Sequence, residues 1–316
     1  MKGKLHRGFQ HAIRRLWNLV IPETCHFCNA PLPAESPAVP VPEAEIGESA
    51  ADYTGTESEY VESEAGFPEG ISLCKACLEA LRPDFARRCR FCGTKILGGH
   101  SCGLQASAFN FTHPGFDCLI PLGDYRGTLR EVTLRMKHRR YDGLSHEMGR
   151  LYSFYYEKTL RDLRLDFIVP VPTHWLMRMA RRTSSPEIFA ETLGKTLRIP
   201  VLPRLVRVNR LTRLQRSLKI EQRAANVAGC FSLRHLFPAG ISREAEAVLK
   251  AERRKIFRNR RVLVVDDVLT TGATCNELSR VLKTELGVTY VAVAVLAKAR
   301  GRSTASPPEE AVDEDW

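Results

Sequence analysis

Two groups of residues in this chain have the types and spacing to do chemistry. Asp266 and Asp267 are adjacent carboxylates at the end of the apolar run Val262, Leu263, Val264, Val265, and Thr270, Thr271, Gly272, Ala273 and Thr274 follow them. Twin acids at a strand end can accept hydrogen bonds from vicinal hydroxyls such as those of a sugar ring. A short loop of hydroxyl residues and glycine that opens a helix aims unsatisfied backbone N–H groups and the positive helix end at one point, which suits a phosphate monoester. Gly272 permits the close backbone approach that the anion requires. The competing reading, two aspartates that only cap a turn, leaves the threonine-glycine loop behind them without a purpose.

The second group is cysteine. Cys25 and Cys28, then Cys74 and Cys77, then Cys89 and Cys92 are Cys-x-x-Cys pairs, and Cys102 follows the third. Each such turn can hold two sulfurs about 2.3 Å from one Zn²⁺, and two turns close a tetrahedron. The first four make a complete set despite the long insertion between them, because loop closure cost grows only logarithmically. The second set lacks a cysteine, since Gln105 stands three residues after Cys102. His100 is the candidate fourth ligand, and an ordinary loop histidine is the alternative. One or two structural Zn²⁺ ions are therefore expected, although a zinc ribbon in a basic chain can equally dock nucleic acid or protein. Cys118, Cys230 and Cys275 read as buried apolar residues.

The elements that must position these groups are legible as alternating signals. Apolar or β-branched runs at 116–120, 167–169, 261–265 and 290–296 alternate with helical patterns at 129–137, 144–159, 186–197 and 275–286. Strands alternating with helices of this length imply an α/β fold, a mainly parallel sheet with helices on both faces. Ser185 before Pro186 reads as an N-cap with proline at the first helical position. Thr274 and Glu277 have capping-box spacing; Leu278, Val281, Leu282 and Leu286 supply the buried stripe of that helix, and Gly287 ends it.

The chain divides accordingly. Residues 1–22 form an amphipathic helix pattern through Leu5, Phe9, Ile13, Leu16, Trp17 and Val20. Residues 23–115 are a cysteine-rich module interrupted at 34–70 by a Pro, Glu, Ser, Ala and Gly segment too poor in apolar residues to fold. Residues 116–300 are the α/β domain, with a charged insertion at about 233–258, and 301–316 are an acidic, disordered tail.

Net charge is +11, but residues 29–73 and 303–316 hold fifteen acids and no Lys or Arg, so the remainder carries +26. Such a field draws polyanions, nucleic acid and pyrophosphate esters alike. No stretch approaches the roughly 18 apolar residues of a membrane span, the N-terminal apolar run is too short for a signal sequence, and Cys-x-x-Cys pairs favour metal over disulfide; a cytoplasmic protein is expected.

Four apolar residues, two acids and Thr-Thr-Gly-x-Thr resemble the phosphoribosyl-pyrophosphate (PRPP) motif of type I phosphoribosyltransferases. With the cysteine ribbons, the whole chain resembles the ComF/GntX family of competence and DNA-utilisation proteins. Val169-Pro170-Val171-Pro172, Arg207 with Thr212 and Gln215, Leu218 with Arg223, Asn226 and Phe231, and Tyr125 with Gly127, Leu129, Arg130 and Lys137 carry it further. The resemblance implies that Asp266 and Asp267 are the catalytic pair on the ribose hydroxyls and that Thr270, Thr271, Gly272, Ala273 and Thr274 bind the 5′-phosphate. It implies a pyrophosphate loop of Val171, Pro172, Thr173, His174 and Arg178, a hood containing Arg207, Thr212, Gln215, Arg223 and Asn226, and Mg²⁺ accompanying PRPP. Where many members have Arg-Gly-Phe-Asn-Gln after that loop, this chain has Arg181, Arg182, Thr183, Ser184, Ser185 and Pro186. The implied activity is pentosyl transfer from PRPP, or a related ribose phosphate, to a nitrogen nucleophile. The alternative is a non-catalytic adaptor for DNA uptake that binds single-stranded DNA or DNA-uptake proteins through its basic body and ribbons.

Overall fold

The computed structural model describes residues 23–32, 70–84, 88–89, 91–93, 95–96, 115–173, 184–209, 226–234 and 243–299. The expectations for 1–22, most of 34–70 and 301–316, and those for His100, Cys102, His174, Arg178, Thr212, Gln215 and Arg223, lie outside the described residues.

Four parallel strands make the central sheet: β1 (Cys118–Asp124), β2 (Phe167–Pro170), β5 (Arg261–Leu269) and β6 (Tyr290–Lys298), in the order β1-β6-β5-β2. The apolar runs of β5 and β6 are continuous because both faces are covered. Leu263 and Val265 face one core with Ile168, Ala292 and Ala294, whereas Val262 and Val264 face a second core with Val169, Val291 and Val293.

The first core is closed by α2 (Gly127–Arg135), α3 (Asp142–Asp162) and α4 (Ser185–Leu197), and the second by α6 (Ala273–Leu286). Tyr152 and Tyr156 of α3 satisfy their buried hydroxyls by donating to the Ile120 and Pro121 carbonyls at 2.7 and 3.0 Å. Each pins α3 to the edge strand β1. Two three-residue strands, β3 (Val206–Val208) and β4 (Phe231–Leu233), pair antiparallel beside the second core, so residues 209–230 run between the legs of a hairpin. The helix α5 (Arg243–Phe257) carries the charged insertion, anchored by Phe257 edge-on to Phe167 at 5.1 Å.

Several local expectations shift. The first strand begins at Cys118 rather than Phe116 and runs through Pro121 to Asp124, which an edge position tolerates because the missing proline N–H costs no ladder bond there. Ser184, not Ser185, is the N-cap of α4; Ser185 and Pro186 are already inside the helix. The Thr274 and Glu277 capping box does not form. Gly272, at φ 74°, caps α6 in the left-handed region, and Thr274 lies within the first turn. Glu277 instead accepts from the Gly229 amide at 2.8 Å and pairs with Arg280 at 2.7 Å, because the hairpin packs where the capping contact would have turned back. Gly287 ends α6 at φ 74°, as its sequence position implies.

Around the cysteines, the short helix α1 (Lys75–Ala80) and the turn 25–28 lie on α2 and α3. Phe27, Leu73, Cys77, Leu78 and Leu81 belong to the same core as Met136, Leu144, Met148 and Leu151. Arg135 stacks on the Phe27 ring at 4.4 Å and donates to its carbonyl.

Candidate functional site

The site lies at the carboxyl ends of β2 and β5, where parallel α/β sheets hold their ligands. Pro170 pairs with Val265, and the Val171 amide donates to the Val265 carbonyl at 2.8 Å, so the loop leaving β2 runs directly beside Asp266. Asp266 and Asp267 line a cavity of about 150 Å³ together with Val171 and Thr173 from that loop. Its remaining walls are Ser184, Ser185 and Pro186 at the start of α4, and Lys137 just after α2.

Electrostatics sets the aspartates apart from surface carboxylates. Burial, and then the charge of Asp267 beside it, push the Asp266 carboxyl well above the usual carboxylate range. Its Oδ1 accepts the Asp267 amide at 2.9 Å. Asp267 Oδ2 accepts from the Ser185 hydroxyl at 3.0 Å, which fixes that carboxylate against the first turn of α4. Cys275 lies 4.0 Å from Asp266, and burial followed by the two carboxylates raises its thiol.

The loop 270–274 follows β5 at once, but none of its residues lines this cavity. Thr271, Gly272 and Ala273 are buried, Thr270 and Thr274 half-buried, and Thr271 Oγ1 accepts from the Ala273 amide at 3.5 Å. The cavity lies toward β2 and α4, and the tight bend 270–274 leads into the N-terminus of α6 without lining that cavity. Of the remaining site candidates, Arg207 sits on β3 with its Nε donating to Ser232 at 3.2 Å, and Asn226 begins the segment leading into β4. Neither lines the cavity.

Sequence reasoning gave Ser185 the wrong role, and it counted Lys137 among the residues carrying the family resemblance without assigning it a contact. A serine before proline looks alike whether it caps a helix or points at a carboxylate. Lys137 comes near Asp266 through the packing of α2 on the sheet.

The cysteines form a second centre. The sulfurs of Cys25, Cys28, Cys74 and Cys77 all lie within 4.8 Å of one another, and Cys28 and Cys74 are 3.5 Å apart. Four sulfurs at about 2.3 Å from a central Zn²⁺ would stand about 3.8 Å apart, so the donor set fits that ion. Burial opposes ionisation of Cys25, yet backbone hydrogen bonds from Cys28, Cys74 and Phe27 bring its thiol down to about 7. Burial and neighbouring sulfurs push Cys77 up instead. Such a cluster ionises fully only around a cation.

Cys89 and Cys92 are buried at the end of β1. Arg88 ties them there, donating to Asp124 and to the Gly93 carbonyl, each at 3.0 Å. At Gly93, φ 65°, an added Cβ would stand 3.0 to 3.3 Å from Leu119, Lys298 and Pro121, a measure of how closely this turn sits on β1 and β6.

Among the described residues no helix is long and apolar enough to cross a membrane. The phosphoribosyl transferase domain model matches residues 234–314, which contain β5, α6 and β6 with both aspartates and the following loop. The chain is also 29% identical over 231 residues to Competence protein F of Haemophilus influenzae, covering 72% of this chain and 90% of that protein. The α/β domain has the phosphoribosyltransferase-type fold, behind a cysteine module whose first four thiols can hold zinc.

Proposed function

We propose that the chain, similar to Competence protein F and carrying a phosphoribosyl transferase domain match, is a ComF-like protein that binds PRPP, or a related ribose phosphate, together with Mg²⁺. One observation carries the reading: Asp266 and Asp267 open at the carboxyl end of β5 into a cavity shared with the loop after β2 and the first turn of α4.

In this reading the two carboxylates accept the ribose 2′- and 3′-hydroxyls, Asp267 being pre-set by Ser185. Thr270, Thr271, Gly272, Ala273 and Thr274 offer backbone amides to the 5′-phosphate, helped by the positive end of α6. Val171, Pro172, Thr173, His174 and Arg178 border the pyrophosphate. Arg207, Thr212, Gln215, Arg223 and Asn226 belong to the segment that closes over it. Mg²⁺ would be held mainly by pyrophosphate and ribose oxygens and would supply charge neutralisation to the leaving group. The binding of Asp266 to a ribose diol also accounts for tolerating a carboxyl whose ionisation the fold opposes. Transfer to a nitrogen nucleophile would follow by stabilising charge on the departing pyrophosphate.

The name of the Haemophilus influenzae relative, Competence protein F, favours a role for this chemistry in competence. Cys25, Cys28, Cys74 and Cys77 would hold a structural Zn²⁺, and Cys89, Cys92, His100 and Cys102 a second.

Calorimetry of the full chain with PRPP and Mg²⁺ tests the proposal. Saturable binding that Asp266→Asn abolishes is expected; no heat with the unmodified chain, or equal binding by the variant, would overturn it.

A further inference from the structure

We infer that Lys137 is a ligand-contacting residue of this site, its ammonium seated against the pyrophosphate end of the sugar phosphate. The inference deepens the PRPP reading and rests on it.

The backbone aims this side chain. Met136, fully buried, closes the last turn of α2, and the Lys137 amide donates to the Leu134 carbonyl at 3.2 Å. Lys137 therefore leaves the helix where its half-buried side chain joins the lining of the cavity. It forms no salt bridge with any described residue. Two other described cations at this end of the sheet are committed: Arg88 to Asp84 and Asp124, and Arg126 to Asp124.

A lysine that served only as counter-ion to the aspartates would close on one of them to within about 4 Å. Lys137 does not, although it is near enough for its charge to favour ionisation of Asp266 against the larger effect of burial. Asp267 already has the Ser185 hydroxyl.

Donors line the same cavity beside the two aspartates. Thr173 and Ser184 bring hydroxyls that lie 3.4 Å apart. The 13-residue helix α4 begins there, and no side chain caps its first amides. An ammonium, two hydroxyls and a helix N-terminus in the same cavity as two carboxylates suit an anion that arrives with Mg²⁺. Size selects which one. A cavity of about 150 Å³ is smaller than the roughly 300 to 1,000 Å³ that encloses a whole small-molecule ligand, so it admits one end of PRPP. In the PRPP reading the monophosphate is assigned to the bend 270–274, which does not line this cavity. What remains for the cavity is the diphosphate.

The test is titration calorimetry of the full chain with Mg²⁺ and three probes: PRPP, inorganic pyrophosphate and ribose 5-phosphate. Lys137→Met keeps the apolar stem and removes the charge. It should weaken PRPP and pyrophosphate by roughly tenfold to a hundredfold, the range of a charge-assisted hydrogen bond, and leave ribose 5-phosphate within about twofold. Lys137→Arg should recover most of the loss. Equal weakening of all three probes, or no weakening of any, would overturn the assignment, and thermal melts of each variant separate lost binding from lost folding. An unmodified chain that binds none of the three defeats the ribose-phosphate reading itself. A chain that loses PRPP on Asp266→Asn but not on Lys137→Met defeats only the role of the lysine.

Discussion

Replacing Ser185 by alanine removes one oxygen and should separate two effects. Ser185 is 5% exposed, and its hydroxyl donates to Asp267 Oδ2 at 3.0 Å, a hydrogen bond to an ionised acceptor. Such bonds contribute about 1.5 to 3 kcal/mol. Asp267 keeps some contact with solvent, and water can replace part of the loss, so the low end applies, about 1.5 kcal/mol. At about 2 to 4 °C per kcal/mol for a chain of this size, Ser185→Ala should melt roughly 3 to 6 °C lower. Affinity responds less. The bond is made before ligand arrives, so binding to the variant bears only the cost of ordering a released carboxylate, about 0.5 to 1 kcal/mol, or a two- to fivefold rise in the Kd for PRPP. Scanning calorimetry and isothermal titration on the same preparation read both numbers. A variant that melts lower yet binds PRPP with unchanged affinity would refute the idea that Asp267 must be held in place to grip its ligand. A variant that melts unchanged would refute the hydrogen bond.

Three further outcomes follow from charge and metal. Because burial and Asp267 raise the Asp266 carboxyl, the folded chain holds that proton more tightly than the unfolded chain. Stability therefore falls as pH rises above the ordinary carboxylate range and levels off once the folded-state group has ionised. Asp266→Asn keeps the acceptor for the Asp267 amide and removes this penalty, so the variant should melt higher than the parent, by a margin that widens as pH rises above the ordinary carboxylate range; a margin constant with pH would contradict it. Stripping metal with a high-affinity zinc chelator should lower the melting temperature, each decade by which free zinc had exceeded its Kd being worth about 1.4 kcal/mol, and added zinc should restore it. An unchanged melt after elemental analysis shows zinc gone would rule out a structural ion at Cys25, Cys28, Cys74 and Cys77. Arg88→Ala should destabilise by about 3 to 5 kcal/mol, since it strands Asp124, whose side chain is 10% exposed beside an arginine that is 9% exposed; Arg126, 3.9 Å away, can offset only part of the loss. Denaturant unfolding measures it.

Much of this fold could be read from residue types, for physical reasons that differ by element. The strands β5 and β6 are apolar on both faces, so their runs stand out whatever surrounds them. The edge strand β1 does not, because Pro121, Gly123 and Asp124 carry turn signals that only an edge position absorbs. The hairpin of β3 and β4 escaped as strands altogether: each leg has three residues, and its partner lies beyond residues 209–230. At the site, Asp266 and Asp267 were legible because two acids directly after a buried apolar run have no packing explanation, although β5 itself continues past them to Leu269. The contributions of Ser185 and Lys137 were not, since each depends on a contact across the fold and neither residue type is unusual where it stands.

The seam between the first cysteines and the α/β body decides how the chain can be cut. Phe27, Leu73, Cys77, Leu78 and Leu81 complete the same apolar interior as Met136, Leu144, Met148 and Leu151, so they are masonry shared by two rooms. A fragment starting at residue 116 would bare the outer faces of α2 and α3 to water and clump, even though it retains every strand of the sheet. The zinc ligands would then matter to the sugar-phosphate pocket as foundations, without ever touching what it holds.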